Sequence, residues 1–230
     1  MDLVCGIDEA GRGCIAGSMF VCGILCKIED LRGLEKINDS KKLTRRQRDE
    51  IYLKALNLKI PYFVAKFEAS EIDNFGISYC LKNALLSIKN HFDDFSLKLN
   101  VNFNDDFSTN LANNILKNTS NIAIKESLKS NIKYIFDGNS SFGVSGIECL
   151  IKGDSLIPQI SLASIFAKSL KDKESDELDK IYPQYKLAKH KGYGTKEHIE
   201  LIKIHKLSPI HRASFKIKSL ENQVSGFCRF

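Results

Sequence analysis

Three apolar runs in this 230-residue chain each end in carboxylates beside glycines. Leu3 to Ile7 runs into Asp8-Glu9 and then Gly11-Arg12-Gly13. Asn131 to Phe136 runs into Asp137-Gly138, and Glu148 to Ile151 into Lys152-Gly153-Asp154. Strands deplete Asp, and a buried charge needs a partner, so packing alone does not account for the pattern. A single Asp in such a place is an ordinary turn former. Four acids so arranged read instead as a cluster whose repulsion a hard cation offsets. Mg²⁺ or Mn²⁺ suits an all-oxygen site and keeps water and phosphate oxygens as further ligands. Two such ions, about 3.5–4 Å apart, stabilise the attacking and leaving oxygens of an in-line phosphoryl displacement.

Composition excludes several other classes. With 43% hydrophobic residues the chain is too apolar for disorder, and its length permits one large domain or two small ones. The most apolar stretch, Gly13 to Cys26, is too short to span a bilayer. The N-terminus lacks the basic region of a secretory signal. Seven cysteines, with no C-x-x-C pair, read as buried hydrophobes rather than zinc ligands or disulfides. The expectation is a cytoplasmic, monomeric protein with no membrane association.

The distribution of charge is more informative than its total. Formal net charge is +6, yet residues 186–218 carry nine Lys/Arg against Glu197 and Glu200, and four of the five histidines. A second basic knot comprises Lys41, Lys42, Arg45, Arg46 and Arg48. Such runs are read either as solvated helix faces or as surfaces for a polyanion.

Periodicity predicts an α/β domain with a basic, helical C-terminal part. Ser18 to Ile28, with Phe20, Cys22, Ile24 and Cys26 alternating, reads as the hairpin partner of the first strand. Thr44 and Gln47 form a capping-box pattern for a helix to about Leu56. Ile60 to Phe67 reads as a strand, Glu71 to Ile88 as a helix, Pro158 to about Pro183 as a long helix, and Thr195 to His205 as another. The polar stretch 92–130 holds one weak helical patch around Leu111, Ile115 and Leu116. These patterns divide the chain into an α/β domain over 1–185, a basic helical region over 186–218 and a tail over 219–230.

Gly6-Ile-Asp-Glu-Ala-Gly-Arg-Gly13, Asp39-Ser-Lys-Lys-Leu43, Asp137-Gly138, Lys152-Gly-Asp154, Ala163-Ser-Ile-Phe-Ala-Lys168, Lys191-Gly-Tyr-Gly-Thr-Lys-Glu-His198 and His211-Arg-Ala-Ser-Phe215 together resemble ribonuclease HII. The motifs follow that family's order across most of the chain. The resemblance implies a ribonuclease H-like fold, a central mixed β-sheet flanked by helices, with 1–185 as the catalytic domain and 186–218 as a substrate-binding region. It also implies a metal-dependent endonuclease that hydrolyses the RNA strand of RNA–DNA hybrids. Such an enzyme incises 5′ to single ribonucleotides in duplex DNA, leaving 3′-hydroxyl and 5′-phosphate ends. Asp8, Glu9, Asp137 and Asp154 match the catalytic, metal-binding carboxylates, which would hold two Mg²⁺ or Mn²⁺ ions. Gly11, Arg12 and Gly13 match the motif that senses the ribose 2′-hydroxyl, where glycine lets the backbone approach the sugar. Tyr193 matches the tyrosine that stacks under that ribose. Ser40, Lys41, Lys42 and Ser164 resemble phosphate-binding positions. Lys168 is read either as reaching the same backbone or as pairing with Asp172. His198, His211 and Arg212 are read as serving structure more than chemistry.

The chain departs from the family pattern in places. Cys14 and Ser18 stand where prolines are usual, and Leu162 where a smaller residue is typical. Residues 92–130 resemble an insertion, and the tail from Gln223 to Phe230 faintly resembles a sliding-clamp-binding peptide. Two other functions compete: a related metal-dependent DNA nuclease or resolvase without a ribose sensor, and a catalytically idle nucleic-acid-binding module. The Gly-Arg-Gly and Gly-Tyr-Gly elements argue against the first, and the full set of four carboxylates against the second.

Overall fold

The computed structural model describes residues 3–34, 37, 43–102 and 132–216. Five strands form one mixed sheet: β1 (Leu3–Ala10), β2 (Met19–Cys26), β3 (Tyr62–Phe67), β4 (Ile132–Asp137) and β5 (Ile147–Leu150), in the order β3-β2-β1-β4-β5. The first three strands form an antiparallel meander, and β4 and β5 then continue the sheet parallel to β1. The parallel connection from β3 to β4 crosses one face of the sheet through α2 (Ala69–Phe75) and α3 (Ile77–Asn102). On the other face lie α1 (Arg45–Asn57) and the long α4 (Pro158–Ile181). Two short helices, α5 (Leu187–His190) and α6 (Lys196–His205), complete the described C-terminal part. Among the described residues, no helix is long and apolar enough to cross a membrane.

The alternation in β2 builds both cores. Phe20, Cys22, Ile24 and Cys26 face α1 and α4, where they meet Tyr52, Leu162 and Phe166. Met19, Val21 and Leu25 face α2 and α3, among Ile72, Leu81, Leu85 and Ile88. Cys5, Cys14, Cys22, Cys26 and Cys80 are free and buried, as their apolar surroundings predict, whereas Cys149 is exposed. Leu162 is fully enclosed in the α4 core.

The expected elements occur with instructive differences. β1 continues to Ala10, so Asp8 and Glu9 lie within the strand rather than beyond its end. The helix read from Glu71 is two helices, because Gly76 caps α2 at a φ of 80° and sends its N–H back to the Ile72 carbonyl. α3 then runs to Asn102, so the first residues of the stretch read as an insertion belong to a helix. Residues 103–131, with the patch around Leu111, Ile115 and Leu116, lie outside the described residues, as do the tail and Ser40, Lys41 and Lys42. The Thr44 capping box is present: the Gln47 N–H donates to Oγ1 of Thr44 (3.3 Å), and the Thr44 N–H donates to Oε1 of Gln47 (2.9 Å).

Candidate active site

Neighbouring strands bring the carboxylates together. In the parallel pair β1–β4, Ile7 sits opposite Phe136, so Asp8 and Asp137 are the next residues on adjacent strands. Parallel neighbours lie about 4.8 Å apart, close enough for their charges to interact strongly. After β5 the chain turns at Lys152 (φ 59°) into a 3₁₀ turn, Gly153–Ser155. The N–H groups of Gly153 and Asp154 donate to the two oxygens of Asp137, both at 3.2 Å. The backbone at Asp154 is thereby fixed against Asp137, and Asp154 itself is buried.

The electrostatics of this edge are unfavourable as they stand. Burial, with Glu9 and Asp137 nearby, pushes the Asp8 carboxyl up to about 7, although Ser164 and the Glu9 N–H favour its ionised form. The Glu9 N–H donates to Oδ1 of Asp8 at 2.8 Å. Burial also raises Glu9, partly offset by Arg12, whose Nη1 lies 3.4 Å from Oε1. The other Glu9 oxygen, Oε2, is buried without a hydrogen-bond partner. Among the described residues, no three His, Cys, Asp or Glu side chains are already gathered in a geometry that could hold a metal ion. The reason lies in local competition: Asp8 is turned to the Glu9 amide, Asp137 to the 153–154 amides, and Glu9 to Arg12. The donor set still fits a hard divalent cation, being all oxygen, anionic and short of one partner at Glu9. Each carboxylate oxygen that accepts one N–H keeps a lone pair for a cation, so the present amide bonds can orient Asp8 and Asp137 as ligands.

Ser164 is fully buried in α4 against Asp8, and its hydroxyl closes no well-formed hydrogen bond. It therefore lies beneath the carboxylates, away from the surface where a phosphate contact was expected.

The turn after β1 is tied to the segment around Tyr193. Gly11 and Gly192 both take positive φ (83° and 84°), and a Cβ on Gly192 would fall 2.3 Å from the Ala16 carbonyl oxygen. That close approach lets the Gly192 carbonyl accept from the N–H groups of Ile15 (2.8 Å) and Ala16 (3.2 Å). Cys14 donates its thiol to the Lys191 carbonyl, and Ser18 donates both its N–H and its hydroxyl to Glu174. A proline at position 18 has no N–H to give, so this departure from the family pattern adds a tether. Tyr193 itself is half exposed beside Cys14.

Sequence reasoning missed Lys171 and Glu174. They read as the polar face of α4, but Lys171 is buried, with Nζ 3.3 Å from the Ala16 carbonyl and 3.1 Å from Glu174. Burial opposes ionisation of Glu174, but Lys171 and Ser18 hold its carboxyl below the usual range. The only signal in the sequence was the i, i+3 pairing.

In the basic knot at 41–48, the three described arginines are each matched within the chain. Arg45 pairs with Asp176, Arg46 with Glu50 and Arg48 with Asp172. Asp172, one partner considered for Lys168, is thus engaged by Arg48 at 2.8 Å. In the C-terminal segment Lys186 and Lys189 pair with Glu197, Lys191 with Asp176 and Lys203 with Glu200. Much of the described positive charge is therefore locally matched.

A mixed sheet in this order, with paired acids on its adjacent central strands, defines a nuclease of the ribonuclease H class. Solved structures of that class share the fold: ribonuclease H2 from Pyrococcus horikoshii OT3 superposes with a TM-score of 0.58 at 20% identity, covering 93% of this chain and 94% of the other. Bst-RNase HIII in complex with Mn²⁺ gives 0.56 at 13% identity, covering 89% and 70%. The family model for ribonuclease HII matches residues 5–218. Ribonuclease HII of Sulfurovum sp. (strain NBC37-1) is 37% identical over 218 residues, covering 95% of this chain and 94% of its own length. That of Helicobacter pylori (strain P12) is 38% identical over 227 residues, covering 94% and 93%. The chain belongs to the ribonuclease HII family and is a ribonuclease H, an endonucleolytic hydrolase.

Proposed function

We propose that this enzyme hydrolyses the RNA strand of RNA–DNA hybrids and incises 5′ to single ribonucleotides embedded in duplex DNA, leaving 3′-hydroxyl and 5′-phosphate ends. The observation that carries the reading is the pairing of two features at one edge of the sheet. One is the under-satisfied pair Asp8 and Glu9 beside Asp137; the other is the Gly11–Gly13 turn, tied through Ile15 and Ala16 to Gly192. A nuclease that ignored sugar identity would have no need of the second feature.

In this reading Asp8, Glu9, Asp137 and Asp154 hold two Mg²⁺ or Mn²⁺ ions. When bound, these supply an activated water and charge stabilisation at the leaving oxygen. The residues of the chain orient the substrate. Main-chain groups of the Gly11–Gly13 turn meet the 2′-hydroxyl, and the exposed Tyr193 ring stacks under the ribose. Arg12, whose side chain is 45% exposed, is free to exchange its weak 3.4 Å contact with Glu9 for a phosphate once cations neutralise Glu9. Ser164 acts from below, orienting Asp8. Ser40, Lys41 and Lys42, with Lys196, Lys206 and Lys216, contribute sequence-independent phosphate contacts. The enzyme works as a cytoplasmic monomer. One neighbouring structure is the PCNA:RNase HII complex from Archaeoglobus fulgidus (TM-score 0.54, 22% identity, covering 94% of this chain and 96% of that one). The Gln223–Phe230 tail is the segment to test for a similar clamp contact here.

A gel assay tests the proposal. Duplexes with one embedded ribonucleotide, with a long RNA strand, or of DNA alone are incubated with Mg²⁺, Mn²⁺ or EDTA. The proposal expects cation-dependent incision of the first two, 5′ to the lone ribonucleotide, and no cleavage of all-DNA duplex. Cleavage of all-DNA duplex at a comparable rate would overturn it.

A further inference from the structure

Two consecutive residues near the end of the described chain, His211 and Arg212, reach opposite halves of the site. Both are buried, with relative exposures of 4% and 1%. The Arg212 guanidinium donates from Nη1 to the Arg12 carbonyl (3.0 Å) and from Nε and Nη2 to the Gly17 carbonyl (3.1 and 2.9 Å). It thereby closes the Gly11–Gly13 turn from behind. His211 reaches the other half through His198.

The proton positions along that path follow from its partners. The Ser208 N–H lies 3.1 Å from Nδ1 of His211, which must therefore accept. A neutral His211 then carries its proton on Nε2, 3.2 Å from Nε2 of His198. His198 places Nδ1 2.9 Å from the Tyr193 carbonyl, which can only accept, so its proton is on Nδ1 and its Nε2 is free to accept. One direction satisfies every contact: Ser208 N–H to His211, His211 to His198, His198 to the Tyr193 carbonyl. His190 stacks on His198 with centroids 4.0 Å apart, and Tyr185 meets His211 edge-on at 4.6 Å. His190 is itself held by the Tyr185 carbonyl at 2.7 Å. Burial keeps both His198 and His211 neutral, each lowered to about 4.

We propose that His198 and His211 are positioning residues for Tyr193, and that the His211-Arg212 pair sets the gap between Tyr193 and the Gly11–Gly13 turn. The proposal rests on the ribose-sensing role given above to those two elements. The Tyr193 carbonyl already accepts from the Thr195 N–H at 2.8 Å, so the histidine bond is not needed to satisfy it. What the second bond adds is direction. The Tyr193 ring is half exposed with its hydroxyl against Cys14, so its aim is set by that contact together with its backbone.

Asn and Gln substitutions separate this from simple packing, because an Asn amide overlies Nδ1 of a histidine and a Gln amide overlies Nε2. At position 198, Asn keeps the donor to Tyr193 and Gln loses it. At position 211 the order reverses: Gln keeps the donor to His198, whereas Asn keeps only the Ser208 contact. Steady-state kinetics on the single-ribonucleotide duplex should show kcat lowered about tenfold in His198→Gln and His211→Asn, and within about threefold of wild type in His198→Asn and His211→Gln. KM should stay within about twofold throughout, because backbone phosphate contacts are untouched. If one pair fails to fold, the ordering within the other decides. Equal losses for Asn and Gln at a position, or losses confined to KM, would overturn the inference. Absence of incision by the wild type would instead overturn the functional reading beneath it.

Discussion

The carboxylate edge and the histidine–arginine platform are both buried and polar, yet they are finished to different degrees. At the carboxylate edge Asp8 is pushed up to about 7, Glu9 is raised, and one Glu9 oxygen has no partner. On the platform, Arg212 gives three bonds to two carbonyls, and His198 and His211 fit a single proton order. Buried polar groups are tolerated when matched and destabilising when not. The Arg212, His198 and His211 contacts are matched within the chain and give rigidity; the edge, with Glu9 Oε2 unpartnered, calls for a cation from outside.

Substitutions should break the two regions differently. The largest effect is expected from Asp137→Asn, which halves the charge shared between β1 and β4; cleavage of an RNA–DNA hybrid should fall about 10³-fold or more. The variant should still fold by circular dichroism but lose about 1–3 kcal/mol, since Asn keeps one acceptor where Gly153 and Asp154 now use two. Next comes Arg212→Met, which removes donors from the Arg12 and Gly17 carbonyls. It should cost about 3 kcal/mol, a fall in melting temperature of roughly 6–12 °C.

Asp8→Asn should do the opposite to stability. A carboxyl raised in the folded state binds its proton more tightly there, so its destabilising effect appears as pH rises from about 4 to about 7. In EDTA at pH 8 the variant should therefore gain about 2 kcal/mol, or roughly 4–8 °C, while losing cleavage; the gain should vanish near pH 4. The smallest effect concerns the platform. His198 and His211 are lowered in the fold, so unfolded chains take up protons first and stability falls as pH drops from about 6.5 toward 4. His198→Asn should flatten that acid limb in pH-dependent melting curves, by about 1 kcal/mol at pH 5.

What was legible in the sequence follows the same division. The acids stand out because strands rarely carry Asp beside Gly, and the alternation of Phe20, Cys22, Ile24 and Cys26 places β2 between two cores. β1 extends past Asp8 because Glu9 and Ala10 still find partners in Val21 and Phe20, which no local pattern announces. The basic runs left two readings open for a related reason. Asp172 and Asp176 lie more than 120 residues from the arginines they neutralise, and only the packing of α1 on α4 brings them together. Lys171 and Glu174 were hidden in the same way, and the histidines gave no sign of their order because proton direction depends on the carbonyl and amide at its two ends.

The central claim is that the acid edge is completed by a divalent cation. Its most direct test is a thermal melt of the EDTA-treated wild type and of Asp8→Asn at pH 8, repeated with increasing Mn²⁺. The wild type should begin less stable and rise by several degrees as the cation binds, overtaking the variant, which should respond weakly. A metal-free wild type at least as stable as Asp8→Asn, and unmoved by Mn²⁺, would contradict it.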